Sequence, residues 1–158
     1  MYFARTAAQK FIGSYYKALE SQRATIASYY IEPTTSSDGK ALPSIIYNGH
    51  VHNRGDTIQN WFVDEMPPTH FDIQSVDSHC VNPNYHPEGK QRGSPGSGMS
   101  VVIAVSGSVR LEDSRSAPLK GFSESFIIVP NPAAVGHHTR GKPVKDYIVQ
   151  TQTFRLIS

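Results

Sequence analysis

Between Met99 and Pro130 the hydrophobic and polar residues alternate, as they do in long β-strands with one buried face. On the first strand, one parity consists of core-type residues: Met99, Val101, Ile103, Val105, Val109 and Leu111. A second run follows the turn-rich segment EDSRSAP and places Phe122, Phe126 and Ile128 on one parity. The two runs therefore predict a long antiparallel hairpin with one face in the core.

The opposite parity of this hairpin consists of small and hydroxylic residues with few charges. Its members are Val102, Ala104, Ser106 and Ser108 on the first strand, and Ser123, Ser125 and Ile127 on the second. A solvent-exposed sheet face normally contains charged residues, whereas a face buried in a second core would contain larger apolar residues. We therefore predict that this parity forms the core of a protein–protein interface.

The rest of the pattern places helices before the hairpin. Apolar residues recur at helical spacing from Ala8 to Leu19, and a second helical segment is predicted around Ile26. Residues 44–50 predict a strand that ends in a tight reversal at an Asn-Gly pair. A short helix follows, with Asp56 and Gln59 in the positions of a capping box.

Residues 69–81 predict a strand whose hydrophobic parity slips by one residue near Gln74 and Ser75, which indicates a β-bulge and a curved sheet. The last strand is predicted at 145–157. Two segments rich in turn-forming residues, 33–43 and 82–98, are expected to be mobile loops. The predicted fold class is α+β, with N-terminal helices packed on a strongly bent antiparallel sheet to form a cone.

Bulky aromatic side chains are available to fill this cone: Trp61, Phe62, Phe71, Phe122, Phe126 and Phe154. We therefore expect a packed interior rather than an open pocket.

The chain has 158 residues, so one domain covering residues 1–158 can form its own core. Its net charge is +2 and the basic residues are scattered, so bulk charge does not indicate a nucleic-acid binder. The sequence contains no apolar run of membrane-spanning length. The single cysteine, Cys80, favours a reducing compartment such as the cytoplasm or the nucleus.

No metal or cofactor site is expected from the pattern of ligand-type residues. His50 and His52 are spaced to share a strand face, but no third ligand accompanies them. The other histidines lie on separate loops and strands: His70, His79, His86, His137 and His138. Cys80 has no second cysteine or neighbouring cation, which predicts an inert, half-buried thiol.

Several segments, spread over nearly the whole chain, carry a family resemblance: YYKALESQRATIASYY, IIYNGH with Gly55, MP before FDIQSVDSHCV, VVIAVSGSVRLE, GFSESFII and the terminal TFRLI. In their order and spacing they resemble the nuclear transport factor two-like family, and within it the small subunits of the mRNA export receptor. Segments 33–43 and 82–98 look longer than in animal members, which suggests a fungal member.

The resemblance implies a non-catalytic protein that pairs, sheet face to sheet face, with the similarly folded domain of the large export-receptor subunit. Such a heterodimer carries messenger ribonucleoprotein through the nuclear pore by contacting phenylalanine-glycine nucleoporins, and shuttles between nucleus and cytoplasm. In the family, the Arg of the terminal motif pairs with an acidic residue of the large subunit. Here that residue is Arg155, and because Phe154 and Leu156 share the inward parity, Arg155 points outward beside Thr153.

Two alternatives remain open within the same fold. A homodimeric import carrier for Ran in its GDP form has an acidic loop where this chain has Glu112 and Asp113. An isomerase or dehydratase would need a carboxylate such as Asp77 inside the cone, in an apolar pocket of ligand size. By parity, Asp77 lies opposite Val76 and Cys80 and faces the partner side.

Basic loop residues provide a further partner hypothesis. Lys90, Arg92, Arg140, Lys142 and Lys145 would contact RNA phosphates if their loops converge at one end of the domain. Independent solvated charges are the alternative.

Overall fold

The helices cover the concave face of a bent six-stranded sheet, as the predicted α+β class requires. The computed structural model describes residues 2–112, 115–134 and 145–157. The helices are α1 (Tyr2–Ser21), a 3-10 helix (Arg23–Tyr29), α2 (Gly55–Asp64) and a 3-10 turn (Pro132–Ala134). The strands are β1 (Thr34–Thr35), β2 (Ala41–Leu42), β3 (Ser44–Tyr47), β4 (His50–His52), β5 (His70–Tyr85), β6 (Gly98–Arg110), β7 (Lys120–Pro130) and β8 (Tyr147–Ile157).

The main sheet has the strand order β4-β3-β8-β7-β6-β5. The four long strands pair antiparallel with one another, but β3 pairs with β8 in parallel. The sheet is therefore mixed rather than entirely antiparallel as predicted. A parallel pair needs a long crossover connection. Here the connection includes α2 and three long strands. The alternation of hydrophobic and polar residues cannot predict a pairing between strands so far apart in the sequence.

The predicted helical stripe of α1 is confirmed, because its apolar residues are buried against the sheet: Ala8, Phe11, Ile12, Tyr15 and Leu19. The segment around Ile26 is helical too, but as a 3-10 helix. Both pack into one hydrophobic cluster with the inner residues of β6 and β7.

The predicted reversal between β3 and β4 is a two-residue turn. Asn48 and Gly49 both have positive φ, +48° and +90°, which suits a tight hairpin with the right-handed twist of its strands. This turn fixes the register in which Ile46 pairs with Val51.

The capping box predicted for α2 is wrong. The helix begins at Gly55 after an extended Arg54 that makes no side-chain cap hydrogen bond. A Cβ at residue 55 would lie 2.9 Å from the carbonyl oxygen of Ala27, so packing against the 3-10 helix sets the helix start. Asp56 pairs with Arg54 at 3.0 Å, and the Gln59 side chain accepts a hydrogen bond from the backbone N–H of Ala27.

The loop predicted at 82–98 is shorter than expected, because β5 continues to Tyr85. Pro83 is tolerated there since β5 is the edge strand, where a missing donor costs no ladder bond on the open side. In the segment 33–43, β1 and β2 form a small hairpin. The mobility of both segments stays a prediction.

The predicted aromatic filling of the cone is largely observed. Phe62, Phe71, Phe122, Phe126 and Phe154 are buried, whereas Trp61 is only half-buried.

The predicted β-bulge is confirmed by a register shift between Ile73 and Ser75, where Gln74 has no residue opposite it in the β6 ladder, although its side-chain amide donates to the hydroxyl of Ser108 at 3.0 Å. Opposite the bulge, β6 has a glycine, Gly107, paired with Ile73. A Cβ at residue 107 would lie only 2.1 Å from the carbonyl oxygen of Asp72. The bend of the sheet therefore depends on a residue without a side chain at this position.

We expect Gly107→Ala to lower the free energy of unfolding by about 3 kcal/mol or more, because the added methyl group meets backbone that cannot move without breaking the bulge. Chemical denaturation measures this. Gly13→Ala is the matched control: nothing lies within 4 Å of its Cβ position, and in a helix Ala is favoured over Gly by up to ~1 kcal/mol. Equal stability of the two variants would contradict the role of Gly107.

Candidate partner-binding face

The convex face of the sheet, here called the outer face, is built by the strand register. One row across the sheet runs Asp77, Ala104, Ser125, Thr153, Ile46 and Val51. The next row runs Ser75, Ser106, Ser123 and Arg155, and a third runs His79, Val102, Ile127 and Thr151. All the residues predicted for the interface therefore lie on one surface, with Ser108 one row further along β6.

At the centre of the outer face four small residues form a square on β6 and β7: Ala104, Ser106, Ser123 and Ser125. All four are exposed. Val102 and Ile127 are half-buried and border the square on one side. Small side chains let a second sheet approach closely, so the shape of this surface suits face-to-face packing.

Arg155 is exposed on β8, directly opposite Ser123 on β7. Within the described residues its guanidinium forms no ion pair and no hydrogen bond. Thr153, two residues earlier, is half-buried on the same face. The outer face thus presents an unpaired cation beside a patch of small neutral residues.

Asp77 is exposed on the outer face of the edge strand β5. Its carboxylate accepts a hydrogen bond from the backbone N–H of Ser78 at 3.0 Å and lies 3.3 Å from Nε2 of His79. Asp77 pairs with Ala104 of the outer face, as predicted. Val76 and Cys80 have the opposite parity, although Val76 keeps 41% of its surface exposed at this sheet edge. Two strands, β6 and β7, lie between Asp77 on β5 and Arg155 on β8.

The sequence reading missed an apolar extension of the outer face. Ile46 and Val51 pair across β3 and β4, with 38% and 74% of their surface exposed. Ile46 also pairs with Thr153, which makes the two apolar side chains continuous with the predicted surface. In the sequence, the only indication was that Ile46 has the opposite parity to Ile45 and Tyr47, which are buried. The parallel β3–β8 pairing is needed to show that this parity belongs to the outer face.

A cleft of about 560 Å³ between α1 and β5 reaches Asp77. Its walls include Arg5, Gln9 and His79, all exposed, so it is an open groove at the edge of the sheet. Asp77 faces away from the cone interior, and its hydrogen bonds stay within its own strand. The cleft is thus not the deep apolar pocket that an isomerase-type site needs.

The cone interior holds a buried carboxyl group, Glu124 on β7, that the sequence reading did not single out. Tyr16 donates a hydrogen bond to it at 2.5 Å, and Nε2 of Gln152 donates another at 2.7 Å. Glu124 lies between Phe122 and Phe126 on the core parity of β7. This position is the feature of the sequence that indicates a buried carboxyl group. Glu124 does not line the three grooves of about 300, 560 and 700 Å³ on the described part of the chain.

The predicted basic cluster is partly assembled. Lys90 and Lys145 line one groove of about 700 Å³, together with Glu32 and Glu88. Lys145 is already engaged, because its ammonium group lies 4.3 Å above the ring of Tyr29. The acidic residues in this groove weaken the attraction of the groove for phosphate. Arg92 is exposed nearby in sequence, and Arg140 and Lys142 lie outside the described residues.

The candidate metal and thiol residues are not brought together. Along the described chain, no group of three or more His, Cys, Asp or Glu residues is placed to hold a metal ion. His52 contacts Thr57 and Cys80 is half-buried. Glu112 is exposed, whereas Asp113, His137 and His138 lie outside the described residues. None of the described helices is long and apolar enough to cross a membrane.

The fold is similar to that of chains in several solved structures. A chain of the structure titled "Chaetomium thermophilum Mex67 NTF2-like domain complexed with Mtr2" superposes with a TM-score of 0.71 and 21% identity over 98% of both chains. A chain of "Sac3N peptide bound to Mex67:Mtr2" has the same TM-score and identity and covers 98% of this chain and 99% of that one. "Structure of Mtr2" gives 0.70 and 20%, with coverage of 98% and 99%.

In sequence, the human "NTF2-related export protein 2" is 23% identical over 122 residues, which cover 77% of this chain and 70% of that protein. The family model described as "Nuclear transport factor 2 (NTF2) domain" matches residues 7–156, nearly the whole chain. This protein therefore belongs to the nuclear transport factor 2 (NTF2) domain family.

Proposed function

We propose that this protein is the non-catalytic small subunit of a nuclear mRNA export receptor. Its outer face pairs with the similarly folded domain of a large subunit. The heterodimer carries messenger ribonucleoprotein through the nuclear pore by contacting phenylalanine-glycine nucleoporins, and it shuttles between nucleus and cytoplasm. The likeness to chains from Mex67:Mtr2 structures and to an NTF2-related export protein supports this role.

The single observation that carries the proposal is the unpaired Arg155 on the outer face. A guanidinium covered by another sheet loses its water and needs a carboxylate in return. In isolation Arg155 has no such partner among the described residues, although Ser123 lies opposite it and Thr153 precedes it on the same face. A partner sheet with an acidic residue at the facing position satisfies both the shape and the charge of this surface.

The four long strands provide most of the outer face. Neighbouring strands lie ~4.8 Å apart, so β5 to β8 span roughly 14 Å, and ten residues of β6 extend for roughly 34 Å. That rectangle covers ~500 Å², and the short strands β3 and β4 add the strip around Ile46 and Val51. The face therefore approaches the ~800 Å² that one partner contributes to a standard interface. The patch is also poor in charge, as interface cores are.

Co-expression with the large subunit's domain, followed by a mass measurement in solution, tests the assignment. We expect a one-to-one complex, and a chain that behaves poorly alone because its outer face is uncovered. A clean homodimer that ignores the large subunit would favour a Ran import carrier instead.

Truncation of Arg155 to Ala should weaken heterodimer formation by ~two to four powers of ten, since breaking a buried ion pair costs ~3 to 5 kcal/mol. Calorimetry with the large subunit's domain measures the affinity. Arg92→Ala removes an exposed loop arginine and serves as the control. Arg155→Asp should be partly rescued by a Lys or Arg at the partner's acidic position. An affinity of Arg155→Ala within threefold of wild type would place Arg155 at a wet rim.

Replacement of Ser106 by Arg should abolish measurable pairing while the domain stays soluble, because a bulky cation at the centre of the square separates the two sheets. Ser37→Arg adds the same charge on an exposed loop and should bind normally. Sizing of the mixed subunits distinguishes the two variants. Normal binding by Ser106→Arg would mean that another surface contacts the partner.

Val51→Asp tests whether the interface extends over β3 and β4. Covering an apolar side chain contributes ~1 to 2 kcal/mol, so we expect about tenfold weaker binding. Val63→Asp, on the exposed side of α2 with 49% of its surface accessible, is the matched control. If both variants bind like the wild type, the interface ends at β8.

A further inference from the structure

Glu124 is a carboxyl group with 1% of its surface exposed, on the inner face of β7. Each of its oxygens accepts one hydrogen bond: Oε1 from the hydroxyl of Tyr16 at 2.5 Å, and Oε2 from the amide of Gln152 at 2.7 Å. These donors come from α1 and β8, so the carboxyl group joins three elements of the cone. Because a charge is costly to bury, the groups around this carboxyl determine whether it is ionised.

The hydrogen bonds around Gln152 form a closed ring, which fixes the direction of each bond. Nε2 of Gln152 donates to the hydroxyl oxygen of Tyr15 at 2.9 Å, and Oε1 of Gln152 accepts from the hydroxyl of Tyr30 at 2.5 Å. The two tyrosine hydroxyls lie 2.9 Å apart, so Tyr15 must donate to Tyr30. Gln152 therefore has one N–H left for Glu124 and offers it no acceptor. A proton on the carboxyl group is accommodated on Oε1, which then donates to the hydroxyl oxygen of Tyr16.

No cation faces this carboxyl group from the elements packed around it. Its titratable neighbours are tyrosines: Tyr15 and Tyr16 on α1, Tyr30 after the 3-10 helix, and Tyr47 on β3. Along the described chain, no lysine, arginine or histidine forms an ion pair with Glu124. A negative charge here is balanced by two hydrogen-bond donors alone.

We propose that Glu124 is a built-in proton-binding group: the cone takes up a proton at this carboxyl when it folds, and its stability therefore falls as the pH rises towards neutrality. The inference is independent of the partner, because every group involved lies inside this chain. It gives Glu124 a regulatory role in the fold rather than a role in chemistry.

The direction follows from desolvation. Burial raises the pKa of Glu124 from its ordinary value to about 7, although the hydrogen bonds from Gln152 and Tyr16 work in the opposite direction. A carboxyl group whose pKa is raised in the folded state is protonated more readily there than in the unfolded chain. Its stabilising contribution is complete below the unfolded pKa and is lost as the pH rises through the folded pKa.

Between about pH 5 and about pH 8 the folding equilibrium constant of the wild type should therefore fall by roughly two powers of ten from this group. His52 acts in the opposite direction in the same range, because burial lowers its pKa. The tyrosine pKa values are raised further above neutrality and add nothing there. The difference between the wild type and a Glu124 variant isolates the carboxyl contribution.

Glu124→Gln is the direct test, by urea unfolding of the full chain across this pH range. The amide oxygen can accept from Gln152, and the amide N–H can donate to the hydroxyl oxygen of Tyr16, so the network is kept without a titrating group. We expect the roughly hundredfold fall to disappear from the variant. The same pH dependence in both proteins would overturn the proposal.

Tyr16→Phe keeps the proposal testable if Glu124→Gln does not fold. Loss of the Tyr16 donor leaves the carboxylate with one hydrogen bond, so its titration should move to higher pH. Tyr29→Phe removes a hydroxyl that bonds to Ser14 outside the network and should leave the titration unchanged. The readout is the carboxyl ¹³C resonance of Glu124, which a merely structural defect would not move. Titration of folded wild-type Glu124 below about pH 5 would refute the account.

Discussion

The register between β6 and β7 is the constraint on which the rest of the structure depends. It aligns Ile103 with Phe126 on the inner face and Ala104 with Ser125 on the outer face, so one set of backbone hydrogen bonds builds both surfaces. A slip by one residue would expose the aromatic core and bury the serines. The bulge near Gln74 then bends the neighbouring strand, and Gly107 permits the close backbone approach that the bend requires.

The two surfaces of the sheet are chemically different. The inner face is aromatic and is closed by α1. Its Glu124 and Gln152 side chains are satisfied by a network inside the chain, whereas the buried hydroxyl of Tyr47 has no hydrogen-bond partner among the described residues. The outer face is small and neutral, and its cation, Arg155, has no partner among the described residues. Buried polar groups that hydrogen-bond to each other are typical of a structural core. An exposed cation without a partner, beside small neutral side chains, is typical of a surface that binds another protein. This contrast favours a binding subunit over an enzyme.

The features predicted correctly from the sequence are those that depend on neighbouring residues. The alternation from Met99 to Leu111, the parity slip at Gln74 and the Asn48-Gly49 turn are local patterns with one structural solution. The capping box failed because contact between Gly55 and Ala27, far apart in sequence, sets the start of α2. The strand predicted to end at residue 81 continues to Tyr85, because the edge position of β5, unknown from the sequence, tolerates Pro83.

The parallel pairing of β3 with β8 could not be predicted either. Because this pairing places Ile46 and Val51 beside the outer face, the apolar extension that they form was missed. The parity of β7 did place Glu124 in the core, but its partners come from α1 and β8, and their convergence depends on the whole cone. The residues predicted for the interface share one face, as parity requires. A buried network could not be predicted in this way, because it needs three elements at once.

Nuclear magnetic resonance of the labelled chain, titrated with the large subunit's domain, tests the central claim most directly. A soluble paramagnetic probe reports which backbone amides lose contact with solvent. The account predicts that Ala104, Ser106, Ser125 and Arg155 become protected, while the exposed side of α1 keeps its exposure. Protection of α1 with an unchanged outer face would contradict it.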